Sequence, residues 1–301
     1  MRYVFTFLIL LLWTPFAASA DLNVVASIPD FGDIAKAVGG RHVKVTNLAR
    51  GTEDPHFVDP RPSFIAILNR ADVLIEGGAD LERGWLPPLV KNARNPAILP
   101  GGKGRVVASS GIRLIEVPSR LDRSMGDVHP KGNPHFWLDP INAKYIARNI
   151  AIVFSWLDPA NAGVYRANLG AFYKRIDAWI PQWNRLLAPY RGSKVVSYHS
   201  TFNYFLRRFG IVQFDTIEPK PGIEPSAAHI SDLIERANAA GVKVVLTEPN
   251  RPRKTPTRIA QQTGAKLVLA PGMTGGVPGA DSYIKTIDNL VRQLASGLSS
   301  P

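Results

Sequence analysis

Cysteine is absent from all 301 residues. That excludes disulfides, thiolate metal ligands and thiol nucleophiles together, and it leaves no cysteine to carry a lipid behind an export leader. Beyond the first twenty residues, no stretch approaches the ~20 consecutive apolar residues that a bilayer span needs, so the remainder is expected to be soluble. Runs of lysine or arginine are missing too, although the formal net charge is +12. With no RNA-binding signature and no recognition-helix pattern, this scattered charge reads as a solvated surface, and nucleic acid is not an expected partner. A local H-E-x-x-H metal helix is likewise absent.

The chain does carry a leader. One basic residue, Arg2, precedes an apolar run from Val4 to Trp13, and Ala18-Ser19-Ala20 follows. The order is that of a cleavable secretory signal over residues 1–20, too short and wrongly flanked for a membrane span. The mature chain then begins at Asp21, and losing Arg2 lowers its charge from +12 to +11. What remains is long enough for one large or two medium domains, with 45% hydrophobic residues to fill the cores.

β-branched and apolar residues from Leu22 to Ile28 predict a strand. Helical spacing from Phe31 to Val38 follows, stopped by Gly39-Gly40. Val43–Leu48 reads as a strand, Ser63–Arg70 as a helix and Asp72–Glu76 as a buried strand. Helix then dominates, over Ile141–Leu157 and again from Pro159 to Leu187. In that second stretch Tyr165, Leu169, Phe172, Ile176, Trp179 and Trp183 mark one apolar face. Such a helix would be about 42 Å long, with Pro181 expected to kink it or end it early. Strands are predicted again at Lys194–Tyr198, Val212–Phe214, Val242–Thr247 and Lys266–Ala270. They alternate with helices at Thr201–Phe209, Pro225–Ala240, Pro252–Gln262 and Asp281–Leu298. Alternation at this spacing predicts an α/β protein with parallel sheets covered on both faces, whose two halves are joined by helix. Residues 101–104 and 118–134 read as surface loops.

Six histidines punctuate this pattern: His42, His56, His129, His135, His199 and His229. Three stand in unusual surroundings. His56 lies in Asp54-Pro-His-Phe-Val-Asp-Pro60, His135 in Gly132-Asn-Pro-His-Phe-Trp-Leu-Asp-Pro140, and His199 follows a predicted strand and opens the next helix. Ligands of open α/β sheets collect beyond the carboxyl ends of strands, where His56 and His199 fall. Proline before His56 and His135 restricts the backbone and helps to aim each ring. Three neutral imidazoles suit Zn²⁺, whereas Mn²⁺ prefers more carboxylate oxygen. The gaps of 79 and 64 residues mean that only the fold can assemble such a site. By itself, however, a histidine is more often a surface or hydrogen-bonded core residue than a ligand, and the residues alone leave the trio undecided.

The motifs in sequence order carry a resemblance that goes further. They are Val24-Ala-Ser-Ile-Pro-Asp-Phe-Gly-Asp-Ile-Ala with Val38-Gly-Gly, Asp54-Pro-His56, Asn133-Pro-His-Phe-Trp-Leu-Asp-Pro140, Tyr198-His-Ser-Thr-Phe-Asn-Tyr-Phe205, Glu248-Pro249 and Ser282-Tyr283. Over essentially the whole mature chain they resemble the periplasmic zinc and manganese substrate-binding proteins of ABC importers. The resemblance implies two α/β lobes, residues 21–158 and 191–301, bridged by a rigid linking helix over 159–190, with metal in the cleft between them. It also implies His56, His135 and His199 as ligands, Zn²⁺ ahead of Mn²⁺, an inner-membrane ABC permease as partner, a periplasmic location and a monomer.

Two features depart from the family's pattern. Leu267-Val-Leu-Ala-Pro-Gly-Met273 lacks the acid that usually supplies a fourth ligand, which leaves water, Glu248 or Asp281. Asp281 fits better as a cap of the last helix, and Glu248 fits equally as an outer carboxylate orienting a histidine. The segment from Asp122 to Lys131 has only Asp127 and His129 where relatives often carry a histidine- and acid-rich loop; His129 reads as a surface-loop residue, with transient metal capture as the lesser alternative. His42 is expected at an exposed strand start and His229 on a helix face, neither as a ligand. A three-histidine site with an open position is also the plan of a zinc hydrolase or hydratase, but no motif pairs these histidines with a general base. An adhesin role is disfavoured without a lipid anchor.

Overall fold

A computed structural model describes residues 21–119 and 129–299. The leader over residues 1–20, with Asp122 and Asp127, lies outside the described residues. The first lobe comprises β1 (Leu22–Ala26), α1 (Pro29–Gly39), β2 (Val43–Asn47), α2 (Pro62–Asn69), β3 (Val73–Glu76), α3 (Leu86–Ala93), β4 (Arg105–Val107) and α4 (Pro140–Leu157). After α5 (Ala162–Leu187), the second comprises β5 (Lys194–Ser197), α6 (Asn203–Phe209), β6 (Val212–Thr216), α7 (Ala227–Ala240), β7 (Val244–Thr247), α8 (Lys254–Thr263), β8 (Lys266–Leu269) and α9 (Tyr283–Ser299).

Each lobe is built on a four-stranded sheet, ordered β2-β1-β3-β4 in one and β6-β5-β7-β8 in the other. Every pairing is parallel. In both, the chain leaves the first strand to one side and returns on its other side. The crevice of each sheet therefore opens past the carboxyl ends of the first and third strands, the usual ligand position of doubly wound sheets.

The two lobes begin and end their helices differently. Pro29, Pro62 and Pro140 start α1, α2 and α4, where the missing N–H costs nothing because the first turn has no acceptor for it. In the second lobe α6, α7 and α8 end on Gly210, Gly241 and Gly264 in the left-handed conformation.

Two elements differ from the sequence expectation by being there at all. The helix α3 carries Pro87 and Pro88 in its first turn, where proline is tolerated, and β4 is only three residues long. The long helix ends at Leu187 as expected and is not cut short at Pro181, which lies on the exposed side. Short 3-10 turns, Pro159–Asn161 and Ala188–Tyr190, flank it.

α5 packs on α1 and α4 at one end and on α9 at the other. Trp183 is wholly buried there and donates its Nε1–H to Asp288 of α9 at 3.2 Å. The apolar core is continuous across the molecule. Val195, Val244, Leu246 and Val268 from one face of the second sheet join the same cluster as the whole first lobe, α5 and α9. Val196 and Val245, pointing the other way as strand alternation requires, belong to a separate small cluster with Leu233 and Ile259. The lobes thus share one core, which leaves little room for a wide hinge.

Candidate metal centre

The loop after β2 brings His56 to the interlobe cleft. Its backbone N–H donates to Asp54 Oδ1 at 2.9 Å, a tight Asx turn, and Trp85 Nε1–H holds the preceding carbonyl of Pro55 at 2.9 Å. His135 precedes a 3-10 turn, Phe136–Leu138, that leads into α4. Asp139 caps that helix by accepting from Ile141 N, and it is gripped by Nε and Nη2 of Arg208 in α6, at 2.8 and 2.7 Å. His199 follows β5 directly, its carbonyl accepting from Ser197 Oγ at 2.6 Å.

Further polar contacts tie the lobes together around these loops. Trp137 Nε1–H donates to Gly272 O, Tyr283 Oη–H to Trp137 O, Tyr204 Oη–H to Asn133 O and Asn133 Nδ2–H to Ser200 O. Gly51 must lack a side chain, because a Cβ there would lie 2.1 Å from Thr274 O on the opposing lobe.

The three imidazoles converge so that one ligand atom from each lies within 4.8 Å of the others. His135 is 1% and His199 4% exposed, and His56 sits at the rim. Two rings have one nitrogen already committed. His135 Nδ1 meets Asn133 Oδ1 at 2.9 Å and His199 Nδ1 meets Glu218 Oε2 at 2.8 Å, while the backbone of Leu81 lies beside the His56 ring. The acceptors Asn133 and Glu218 make those two Nδ1 atoms the donors, which leaves Nε2 of His135 and of His199 a bare lone pair. His56 Nε2 and His135 Nε2 face one another at 3.0 Å, and His199 Nε2 is buried with no hydrogen-bond partner. His56 Nε2 can carry the proton of an N–H···N bond to His135 Nε2, and a cation lying between the two nitrogens would take its place. Tetrahedral zinc with ~2.05 Å bonds would set them roughly 3.3 Å apart, a shift of a few tenths of an ångström.

Burial, then the mutual repulsion of the rings and of Arg251, pushes the His56 and His135 pKa values well below 6.5. Both are neutral, as a ligand must be, at neutral pH. Glu218 sits below the usual carboxylate range: burial opposes ionisation, but the bond to His199 and the charge of Arg251 outweigh it.

Among the fourth-ligand candidates, Asp281 is exposed and paired with Lys285, and Ser282 Oγ accepts from Lys285 N at the start of α9. Asp281 is therefore neither near the cluster nor the side chain that serves the helix start. Glu248 takes a short hydrogen bond from Thr201 Oγ1, and no carboxylate among the described residues joins the three histidines at the 4.8 Å spacing. The loop after β8 instead brings Met273 toward the cleft beside Glu248 and His135.

His129 differs from its expected place on a surface loop. Its ring stacks on that of His56, centroids 4.9 Å apart, because Gly132, Asn133 and Pro134 turn inward as a buried segment. His42 is half-buried, edge-on to Tyr165, and His229 lies in the first turn of α7, both away from the cluster. Glu218 and Arg251 were invisible in the sequence, since nothing in Thr216–Lys220 or in Asn250–Arg253 marks a ligand's partner.

Comparison with known proteins agrees with the geometry. Residues 24–297 match the family described as ZnuA, zinc-uptake complex component A, periplasmic. The chain is 24% identical over 291 residues to the manganese ABC transporter substrate-binding lipoprotein PsaA of Streptococcus pneumoniae, covering 94% of this chain and 91% of that one. It is 25% identical over 295 residues to the iron ABC transporter substrate-binding lipoprotein MtsA of Streptococcus pyogenes serotype M1, covering 95% and 92%. A crystal structure of ZnuA superposes with a TM-score of 0.79 at 28% identity, over 93% of this chain and 100% of that chain.

Proposed function

Because the chain belongs to the family of metal-binding substrate-binding proteins of ABC importers, which bind metal for a permease and its ATPase rather than catalyse a reaction, we propose that it carries Zn²⁺ on His56, His135 and His199. The relatives above are named for zinc, manganese and iron, so the choice of ion rests on the donors. The observation that carries it is the convergence of three imidazole nitrogens with no carboxylate oxygen among them. An all-nitrogen set suits borderline Zn²⁺ and serves Mn²⁺ poorly, and the general affinity order also places zinc above manganese and iron. Water completes the coordination on this reading. Of the carboxylates nearby, Glu218 is engaged on His199, Asp54 on His56 N and Glu248 through one oxygen on Thr201, its other oxygen being buried without a hydrogen-bond partner.

The proposal places the protein in the periplasm as a monomer, released by cleavage after Ala20 and delivering its ion to an inner-membrane permease. Both streptococcal relatives are named lipoproteins. Cysteine-linked lipidation needs a thiol that this sequence does not contain. Anomalous scattering on either side of the zinc edge from the purified metal-loaded protein identifies the ion and counts its ligands. Zinc with three histidine nitrogens is expected; manganese or iron under equal supply, or a carboxylate in the coordination sphere, overturns the assignment.

A further inference from the structure

Arg251 is a permanent cation beside a site meant for another cation. Its side chain is 15% exposed, its guanidinium lies 5.5 Å over the Tyr198 ring, and its charge reaches both His56 and His135. Coulomb's law makes that placement costly to a divalent ion, so a reason for it must lie elsewhere. Its contacts supply one. Nη1 of Arg251 lies 3.1 Å from Asp54 Oδ2 and 3.4 Å from Glu218 Oε1. Asp54 accepts from the backbone N–H of His56 through its other oxygen, and Glu218 holds His199 Nδ1 through its other oxygen. One unbroken chain therefore runs from His199 through Glu218, Arg251 and Asp54 to His56. It crosses from the second lobe to the first, and both its ends are candidate ligands.

The surrounding charge supports this placement. Asp54, Glu218 and Glu248, whose charges all reach Arg251, contribute a formal −3 and Arg251 +1, so the three histidines sit beside a net formal charge of −2 that a divalent ion brings to zero. Within it, Arg251 offsets the mutual repulsion of Asp54 and Glu218 by pairing with both. A half-buried guanidinium paired with two carboxylates is held firmly, because removing either partner strands a buried charge.

We propose that Arg251 is a positioning residue, a latch that holds the ligands of the two lobes in register and sets how long the metal stays. The proposal rests on the three-histidine site described above.

The sign of one measurement tests it. Zn²⁺ release from the loaded protein into a chelator is followed by stopped flow, alongside the melting temperature of the metal-free protein. A latch predicts that Arg251→Met speeds release tenfold or more, whereas a bystander cation predicts slower release because repulsion is gone. A purely structural role predicts a lower melting temperature with the release rate unchanged. Arg251→Lys, which keeps a cation able to bridge two oxygens, should recover most of the residence time. Asp54→Asn, isosteric and still able to accept from His56 N, should also speed release, and the double variant should be no faster than the quicker single one.

Release within twofold of the parent in both Arg251→Met and Asp54→Asn, or strictly additive effects, overturns the latch; if Arg251→Met does not fold, Asp54→Asn and Arg251→Lys decide the question alone. His135→Ala in parallel separates the two readings. Loss of Zn²⁺ binding there with an unaltered Asp54→Asn sinks only the latch, whereas intact binding sinks the site and the latch together.

Discussion

The two lobes have the same strand order around the same kind of crevice, yet they steady their histidines differently. The first lobe sets the backbone of Leu81 beside the His56 ring and holds His135 with the amide oxygen of Asn133, both neutral groups. The second holds His199 with the carboxylate of Glu218, in a network that includes Arg251. A neutral acceptor settles which nitrogen carries the proton and where the ring points. A carboxylate does that and also raises the basicity of the ligand nitrogen, strengthening its bond to the metal. The lobe that gives one histidine thus backs its ring with charge, and the lobe that gives two backs their rings with neutral groups.

The largest expected effect comes from removing a ligand from either lobe. An ion that binds only the folded chain at a thousandfold excess over Kd adds ~4 kcal/mol, or roughly 8–16 °C in melting temperature for a domain of this size. The core shared between the lobes favours a single cooperative transition. His56→Ala, His135→Ala or His199→Ala should each erase most of the zinc-induced shift in a thermal melt. A full shift retained by His135→Ala would break the assignment.

Next in size, and aimed at the contrast itself, is the comparison of Glu218→Gln with Asn133→Ala. Loss of the carboxylate should cost about 10–100-fold in zinc affinity by competition titration. Asn133→Ala should cost less affinity but more stability of the metal-free protein, because Asn133 Nδ2 also donates to Glu116 and to Ser200 O across the lobes. The reverse order would mean that aim matters more than ligand basicity.

A third test uses pH, where buried groups act with opposite signs. His56 and His135 have folded pKa values well below 6.5, so their contribution is present above about pH 6.5 and is lost as pH falls. Metal binding should weaken over the same range, since protons compete for Nε2. Asp30, buried against Thr274, and Glu82, buried against Ser27 and Gly77, are each pushed up to about 7 by burial. Their contribution is full below their ordinary values of 3.8 and 4.5 and is lost as pH rises through about 7. Asp30→Asn cannot ionise but can still accept from Thr274. Its stability relative to the parent, measured metal-free, should therefore improve as pH rises from about 5 to about 8. A constant difference across that range would show that Asp30 does not titrate as described.

The smallest effect is assigned to His129→Ala. Stacking of two rings contributes about 0.5–1.5 kcal/mol, so zinc affinity should fall by about tenfold at most and most of the thermal shift should survive. Loss of the shift would promote His129 to a ligand.

Much of the fold was legible in the sequence for local reasons. Strand and helix periods and the Gly39-Gly40 stop are short-range signals, and they located the elements to within a few residues. They failed where the signal was short or mixed. β4 has three residues, and the two prolines of α3 look like a break until they are seen in a first turn. Pro181 was expected to kink the helix or end it early, because a sequence does not say which side of a helix faces water.

His56, His135 and His199 stood out through their neighbours, namely proline before two of them and a strand before the third. Their convergence, by contrast, depends on two sheets, a shared core and the close approach of Gly51 to Thr274, and no local rule encodes it. Glu218, Arg251 and the stacking of His129 were decided by tertiary structure alone. An outer partner needs only a common polar side chain at the right point in space, and that point is set by packing between segments far apart in the chain.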